Sequence, residues 1–289
     1  MNEDDTIIYN LQVVRYVDVA SVAILVFDYA LTFEREVSLI WRSKWSLPKV
    51  LFLLSRYSTV LDVPLVLYYS ITPVVSVQHC AQLHEGVSWG TVFGISVAEA
   101  ILLVRTYALS GAKRSVLITF TSIWATAVAT TIVLVALFVK SSIFILPPLP
   151  GIPGCFLAMY NRAEVVAPFV IVLLYDTVVI AYTLYLGVKN YHHSVRIPLL
   201  VTLYRDGITY YLFLFIVSLL NVFMLLNGTS PTKQALTQFF NTFVRVLHSV
   251  LSTRVILHIR DVERKNFQLE REIPLSTVRF EAQTLDTQR

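Results

Sequence analysis

Long apolar runs broken by short polar intervals occupy almost the whole chain. Seven windows hold the roughly 20 mostly apolar residues that a bilayer crossing needs: 13–33, 50–71, 89–109, 117–139, 164–187, 207–227 and 236–257. The seventh is the most polar, because it contains Arg245, His248 and Arg254. The strands of a membrane barrel alternate apolar and polar residues over segments of about 10. Stretches such as Ile208 to Leu226 do not alternate, so the runs read as helices. The pattern predicts an all-α, polytopic membrane protein: a seven-transmembrane-helix bundle over residues 1–260 and a cytoplasmic tail over 261–289. In that tail a short surface helix to about Ile273 is expected before disorder. The acidic start MNEDDTIIYN lacks the basic region and small-residue cleavage site of a signal peptide, so the first helix is expected to act as an uncleaved anchor.

Composition supports the same class. Apolar residues make up 56% of the chain and charged residues 15%, against about 45–50% and 25% in ordinary soluble domains. This balance excludes a disordered chain, a coiled coil and a nucleic-acid binder with a dense basic face. Two cysteines exclude a disulfide-rich scaffold and a four-cysteine zinc site.

Charge sets the expected orientation, since loops facing the cytoplasm carry the excess of Lys and Arg. With the N-terminus outside, the inner loops hold nine such residues: Arg35, Arg42, Lys44, Lys49, Lys113, Arg114, Lys189, Arg196 and Arg205. The outer loops hold three: Lys140, Arg162 and Lys233. The chain is therefore expected to run N-terminus out and C-terminus in. Trp41 and Trp45, flanking Arg42 and Lys44, suit the inner membrane–water boundary.

Polar residues inside the apolar windows need partners, because each lipid-facing charge costs at least about 2.5–3.5 kcal/mol. Asp28 and Arg56, on adjacent helices and both about 9 Å from the inner face at 1.5 Å per residue, form a candidate structural ion pair. Asp62, Glu99, Asp176 and Arg245 all fall between about 13 and 20 Å from that face, and His248 lies one turn from Arg245. Three acids against one base at a single level mean that some of the acids carry protons, or that a cation or basic ligand balances them. These five residues are candidates for a ligand or ion site, with a purely structural polar network as the alternative. Gly90, Gly94 and Ala98, four apart on helix three, are candidate helix-packing positions, within the bundle or at a dimer face.

Cys80 and Cys155 fall in the first and second outer loops by this topology. A disulfide between them would close a ring of about 75 residues, worth about 4 kcal/mol in the chain-entropy model; two free thiols are the alternative. Four prolines and two glycines in the run 147–154 imply an extended segment just before Cys155. Asn227-Gly228-Thr229 matches a glycosylation acceptor but lies close to the membrane and is expected to be unmodified. No nucleophile–base pair, phosphate-binding glycine loop or linear metal-ligand spacing occurs, so no catalytic residue, metal or cofactor is expected, and His192-His193 reads as a solvated pair.

The segment RYVDVASVAILVFDYALTFEREVSLIWRSKWSLPKVLFLLSRY, residues 15–57, resembles an expanded fungal, mainly basidiomycete, family of seven-helix membrane proteins. The FDYALTFEREV stretch, the IWRSKWSLPKVLF loop and Arg56-Tyr57 carry the resemblance, with looser similarity at LVRTYAL (103–109) and HSVLSTR (248–254). The family's N-terminal signature is a domain of unknown function, so the resemblance implies an integral membrane protein and supplies no catalytic residue. Topology is also similar to that of G-protein-coupled receptors, but the rhodopsin-class motifs are absent: Arg105 has no acid before it, and helices six and seven lack their proline motifs. The expected function is that of a receptor-like or sensory protein, not an enzyme, with the plasma membrane favoured over internal membranes. Its expected partners are the lipid bilayer, a small ligand and a cytoplasmic signalling partner at the inner loops. The alternatives are a proton-coupled carrier using the midplane acids, and a structural membrane protein.

Overall fold

A backbone in hydrocarbon must satisfy its own hydrogen bonds, and the chain does so with seven long helices. The computed structural model describes residues 3–72, 76–145, 154–194, 198–227 and 231–272. The helices are α1 (Glu3–Glu36), α2 (Leu47–Ile71), α3 (Val77–Leu109), α4 (Arg114–Ser141), α5 (Arg162–Ser194), α6 (Pro198–Asn227) and α7 (Pro231–Glu272). All seven are long and apolar enough to cross a membrane, which makes the chain an integral, multi-pass membrane protein. Between α4 and α5 a short antiparallel ribbon pairs β1 (Ile143–Ile145) with β2 (Phe156–Met159). The two ends of the bundle are named below by this ribbon and by a single π-helical turn, Val37–Trp41, that follows α1 at the other end.

Consecutive helices pack side by side, and α1 closes the ring against α7. Across the ring α7 also touches α2 and α3. That placement explains its sequence. The most polar of the seven spans is the most deeply buried, and the strongly apolar α4 is the most exposed. Apolar packing fills the spaces between polar layers. Leu102, Phe120, Tyr175, Val179, Tyr211 and Leu214 join α3, α4, α5 and α6. Leu39, Ile40, Phe52, Ile101 and Leu257 seal the π-turn end.

The helices outrun the apolar windows, because hydropathy marks the stretch in lipid while the hydrogen-bond ladder continues into the interface. Ser76 caps α3 by accepting from His79 N at 3.2 Å, so the helix starts well before the apolar window at 89. Cys80 consequently sits in the first turn of α3 and not in a loop. Likewise α7 runs unbroken to Glu272, where the sequence suggests a span ending at 257 and a separate surface helix. Lys49, counted above as a loop charge, belongs to the first turn of α2 and is buried. Its ammonium donates to Trp41 O (3.1 Å) and Ser43 O (2.8 Å) and sits 4.8 Å from the Trp45 ring, clasping the α1–α2 loop to the helix. Trp41 and Trp45 themselves are exposed. The proline-rich run up to residue 153, the acceptor residues Gly228 and Thr229, the His192 and His193 side chains and the tail beyond 272 lie outside the described residues.

Candidate functional site

Arg245 of α7 is the largest fully buried side chain among the described residues. Its guanidinium donates to Asp62 Oδ2 of α2 at 2.8 Å and to Ser58 Oγ, one turn away on α2, at 2.9 Å. The pair fits because α3 carries no side chain there. A Cβ at Gly94 would collide with the guanidinium, and one at Gly90 would stand 3.0 Å from Asp62 Cβ. The two glycines thus clear room for an ion pair, beyond letting helices approach. Ala98, one turn further along, is fully buried among the helices.

One turn below Arg245, His248 joins the remaining acids. Its Nδ1 lies 3.3 Å from Glu99 Oε1 of α3. Its Nε2 lies 3.3 Å from Ser218 Oγ of α6, and Ser218 in turn donates to Asp176 Oδ2 of α5 at 3.1 Å. Glu99, Asp176 and His248 bring one ligating atom each to within 4.8 Å of one another, all buried. All five midplane candidates therefore point into the bundle and form two adjoining groups, Arg245–Asp62 and Glu99–Asp176–His248. The three potential metal donors come from α3, α5 and α7, so no linear spacing in the sequence announces them.

Above these groups a cavity of about 550 Å³ extends to the ribbon end. Its floor is Asp62, Arg245 and Glu99; its walls are mainly apolar, among them Ile95, Trp124, Phe138 and Phe169; Cys155, Leu157 and Tyr160 line its ribbon end. Trp124 is fixed by donating to Ser96 O at 3.2 Å. Two further acids line the cavity. Asp18 accepts from Ser70 Oγ at 2.7 Å, and Glu164 from Ser141 Oγ at 2.7 Å. Asp62 is neutralised by Arg245 and Glu99 faces His248, while Asp18 and Glu164 face the cavity without an ion-pair partner among the described residues.

A disulfide holds the ribbon end in place. Cys80 and Cys155 are joined, with Cα atoms 5.5 Å apart and a sequence separation of 75. Gly154 brings Cys155 there: its N–H donates to Thr72 O at 2.8 Å, with φ at +96°, and a Cβ would stand 2.6 Å from Ser70 O. Only glycine meets both demands.

The π-turn end holds a second charged layer. Arg56 bonds Glu36 Oε2 at 2.7 Å, Asp28 Oδ2 at 3.3 Å and Thr32 Oγ1 at 2.6 Å, with Tyr29 stacked on its guanidinium at 4.5 Å. Arg254 takes the other oxygen of Asp28 at 2.6 Å. Tyr57 and Trp41 each donate to Glu36 Oε1 at 3.0 Å. The Asp28–Arg56 pair is thus the centre of a four-charge network tying α1, α2 and α7.

Residues 16–61 match a family of unknown function, DUF6533. The matched segment contains Asp28, Thr32, Glu36, Trp41, Arg56 and Tyr57, the whole charged layer except Arg254. No curated protein matches the chain. Sequence reasoning passed over Asp18, Ser70, Glu36 and Ser218. Asp18 and Glu36 were open to detection as acids in or beside an apolar run. Ser218 carried no signal, because a serine in a membrane helix ordinarily bonds its own backbone.

Proposed function

We propose that the protein is a receptor-like, sensory seven-helix membrane protein that takes a small ligand into the mid-bundle cavity. The observation that carries this reading is the cavity itself. It is large enough for a small organic molecule, mostly apolar, and bordered at one end by a ribbon stapled to α3. The loop charges favour a cavity opening from the outer half of the membrane, with the four-charge layer near the cytoplasmic face. Asp18 and Glu164, two acids on the cavity wall without an ion-pair partner among the described residues, favour an organic cation with an apolar body. The same helices, α2 and α7, carry both the cavity floor and the charged layer. A ligand that shifts α7 against α2 therefore reaches the inner loops through one rigid connection. The lack of an identifiable inverted repeat ranks a carrier second.

Alkylammonium probes and neutral alcohols of the same chain length, added to protein in lipid nanodiscs, test this. The expected result is a saturable rise in melting temperature and a change in Trp124 emission with the cations. Both effects should vanish in Thr91→Trp, which fills the cavity. Hydrogen exchange in the loop 42–46 should change with the same saturation curve. Absence of any saturable response, or an equal response in Thr91→Trp, overturns the ligand site. Accumulation of labelled probe inside proteoliposomes overturns the receptor reading in favour of a carrier.

A further inference from the structure

Glu99, Asp176 and His248 converge at one buried point where α3, α5 and α7 meet, and we propose that they form a binding site for a divalent metal cation. The hydroxyl of Ser218 sets the imidazole's orientation. Ser218 has one hydrogen and gives it to Asp176 Oδ2 at 3.1 Å, since a carboxylate only accepts. Its oxygen then accepts from His248 Nε2 at 3.3 Å. A neutral imidazole protonated on Nε2 directs the bare lone pair of Nδ1 toward Glu99 Oε1, 3.3 Å away. No hydrogen bond satisfies Nδ1, and among the described residues the only side chain within hydrogen-bond reach of the Glu99 carboxyl besides the imidazole is the Asp176 carboxyl. A lone pair facing a carboxylate in a dry bundle is unfavourable unless a proton or a metal cation lies between them, and the convergence of a third donor, Asp176, on the same point favours the metal. The arrangement matches that of metal-binding imidazoles, which hydrogen-bond through one ring nitrogen and ligate through the other.

Charge and donor chemistry select the class of ion. Arg245, one turn from His248, is engaged by Asp62 and does not serve the cluster. Two carboxylates and a neutral imidazole sum to −2, which a divalent ion cancels and a monovalent ion leaves half uncompensated in a poorly screened interior. One imidazole and two carboxylates, without a thiolate, suit Zn²⁺ or Mn²⁺. An ion about 2.0–2.4 Å from each donor spans separations up to the 4.8 Å found here. Glu99 also lines the cavity, which supplies an entry path and a position open to a water or ligand atom. The site stands whether or not the cavity takes an organic cation, because metal binding is read without any organic probe.

The test uses the full chain in lipid nanodiscs, stripped with chelator and then dialysed against Zn²⁺ or, separately, Mn²⁺. The expected result is about one retained ion per chain by elemental analysis, together with a chelator-reversible rise in melting temperature of about 5 °C or more at saturation. Glu99→Gln, Asp176→Asn and His248→Gln should each weaken retention at least about 10-fold. Glu85→Gln, an exposed acid on the same helix, should bind as the wild type does. If one of the three variants fails to fold, the other two and the wild-type titration carry the same comparison. Wild-type protein that retains no more of either ion than His248→Gln and shows no chelator-sensitive melting shift overturns the proposal.

Discussion

At the scale of single residues, the ion pair Arg245–Asp62 and the glycine opposite it make a set of coupled expectations. Removing the guanidinium by Arg245→Ala strands a carboxylate inside the bundle. Breaking one side of a buried pair costs about 3–5 kcal/mol, so melting of the purified protein should fall sharply. Gly94→Ala should cost about 1–3 kcal/mol, the range for overpacking, because its methyl group takes the place of the guanidinium. In the Arg245→Ala background the same methyl enters free space and should cost almost nothing, a coupling that a double-mutant cycle measures directly. Additive losses would show that Gly94 does not serve the arginine. The five midplane residues were legible as one level in the sequence, because depth along a helix follows from counting at 1.5 Å per residue. Their division into two groups was not. Which acid meets which base depends on the rotation of each helix about its axis, and packing of Val63, Val246 and Val250 decides that for α2 and α7.

At the scale of elements, the ribbon end depends on one glycine and one disulfide. Cys80→Ser and Cys155→Ser should each lower stability by about 2–4 kcal/mol, and the double variant should lose no more than either single one. Gly154→Ala should act upstream of both. A side chain there collides with Ser70 O at a positive φ, so Cys155 is displaced and the fraction of alkylatable thiol in the native protein should rise. Unchanged thiol reactivity would show that the backbone of Gly154 does not position the cysteine. The π-turn end offers a ranking. Arg56→Ala leaves the fully buried Glu36 without its cation, whereas the Arg254 side chain is 40% exposed and water can replace it on Asp28. The loss of melting temperature should therefore be several-fold larger for Arg56→Ala than for Arg254→Ala. Element types were readable from apolar run length alone. Element ends were not, because polar first turns such as Gln78, His79, Gln82 and Glu85 are helical through backbone bonds that hydropathy does not register.

At the scale of the whole molecule, loop charge leads us to place the N-terminus outside and the C-terminus in the cytoplasm. Reporter fusions at the two ends should give opposite signals across the membrane; equal signals would remove the outside placement of the cavity and the receptor reading with it. The length of α7 then acquires a mechanical meaning. Its 42 residues make a rod of about 63 Å, roughly twice the hydrocarbon thickness. Arg245 lies toward one end of this rod, and Glu272 stands about 40 Å further along it at 1.5 Å per residue. The helix is a lever with its short arm at the cavity floor. A tilt of about 5° about Arg245, a fraction of an ångström at the side chains one turn away, sweeps the far tip through about 3.5 Å at that arm length.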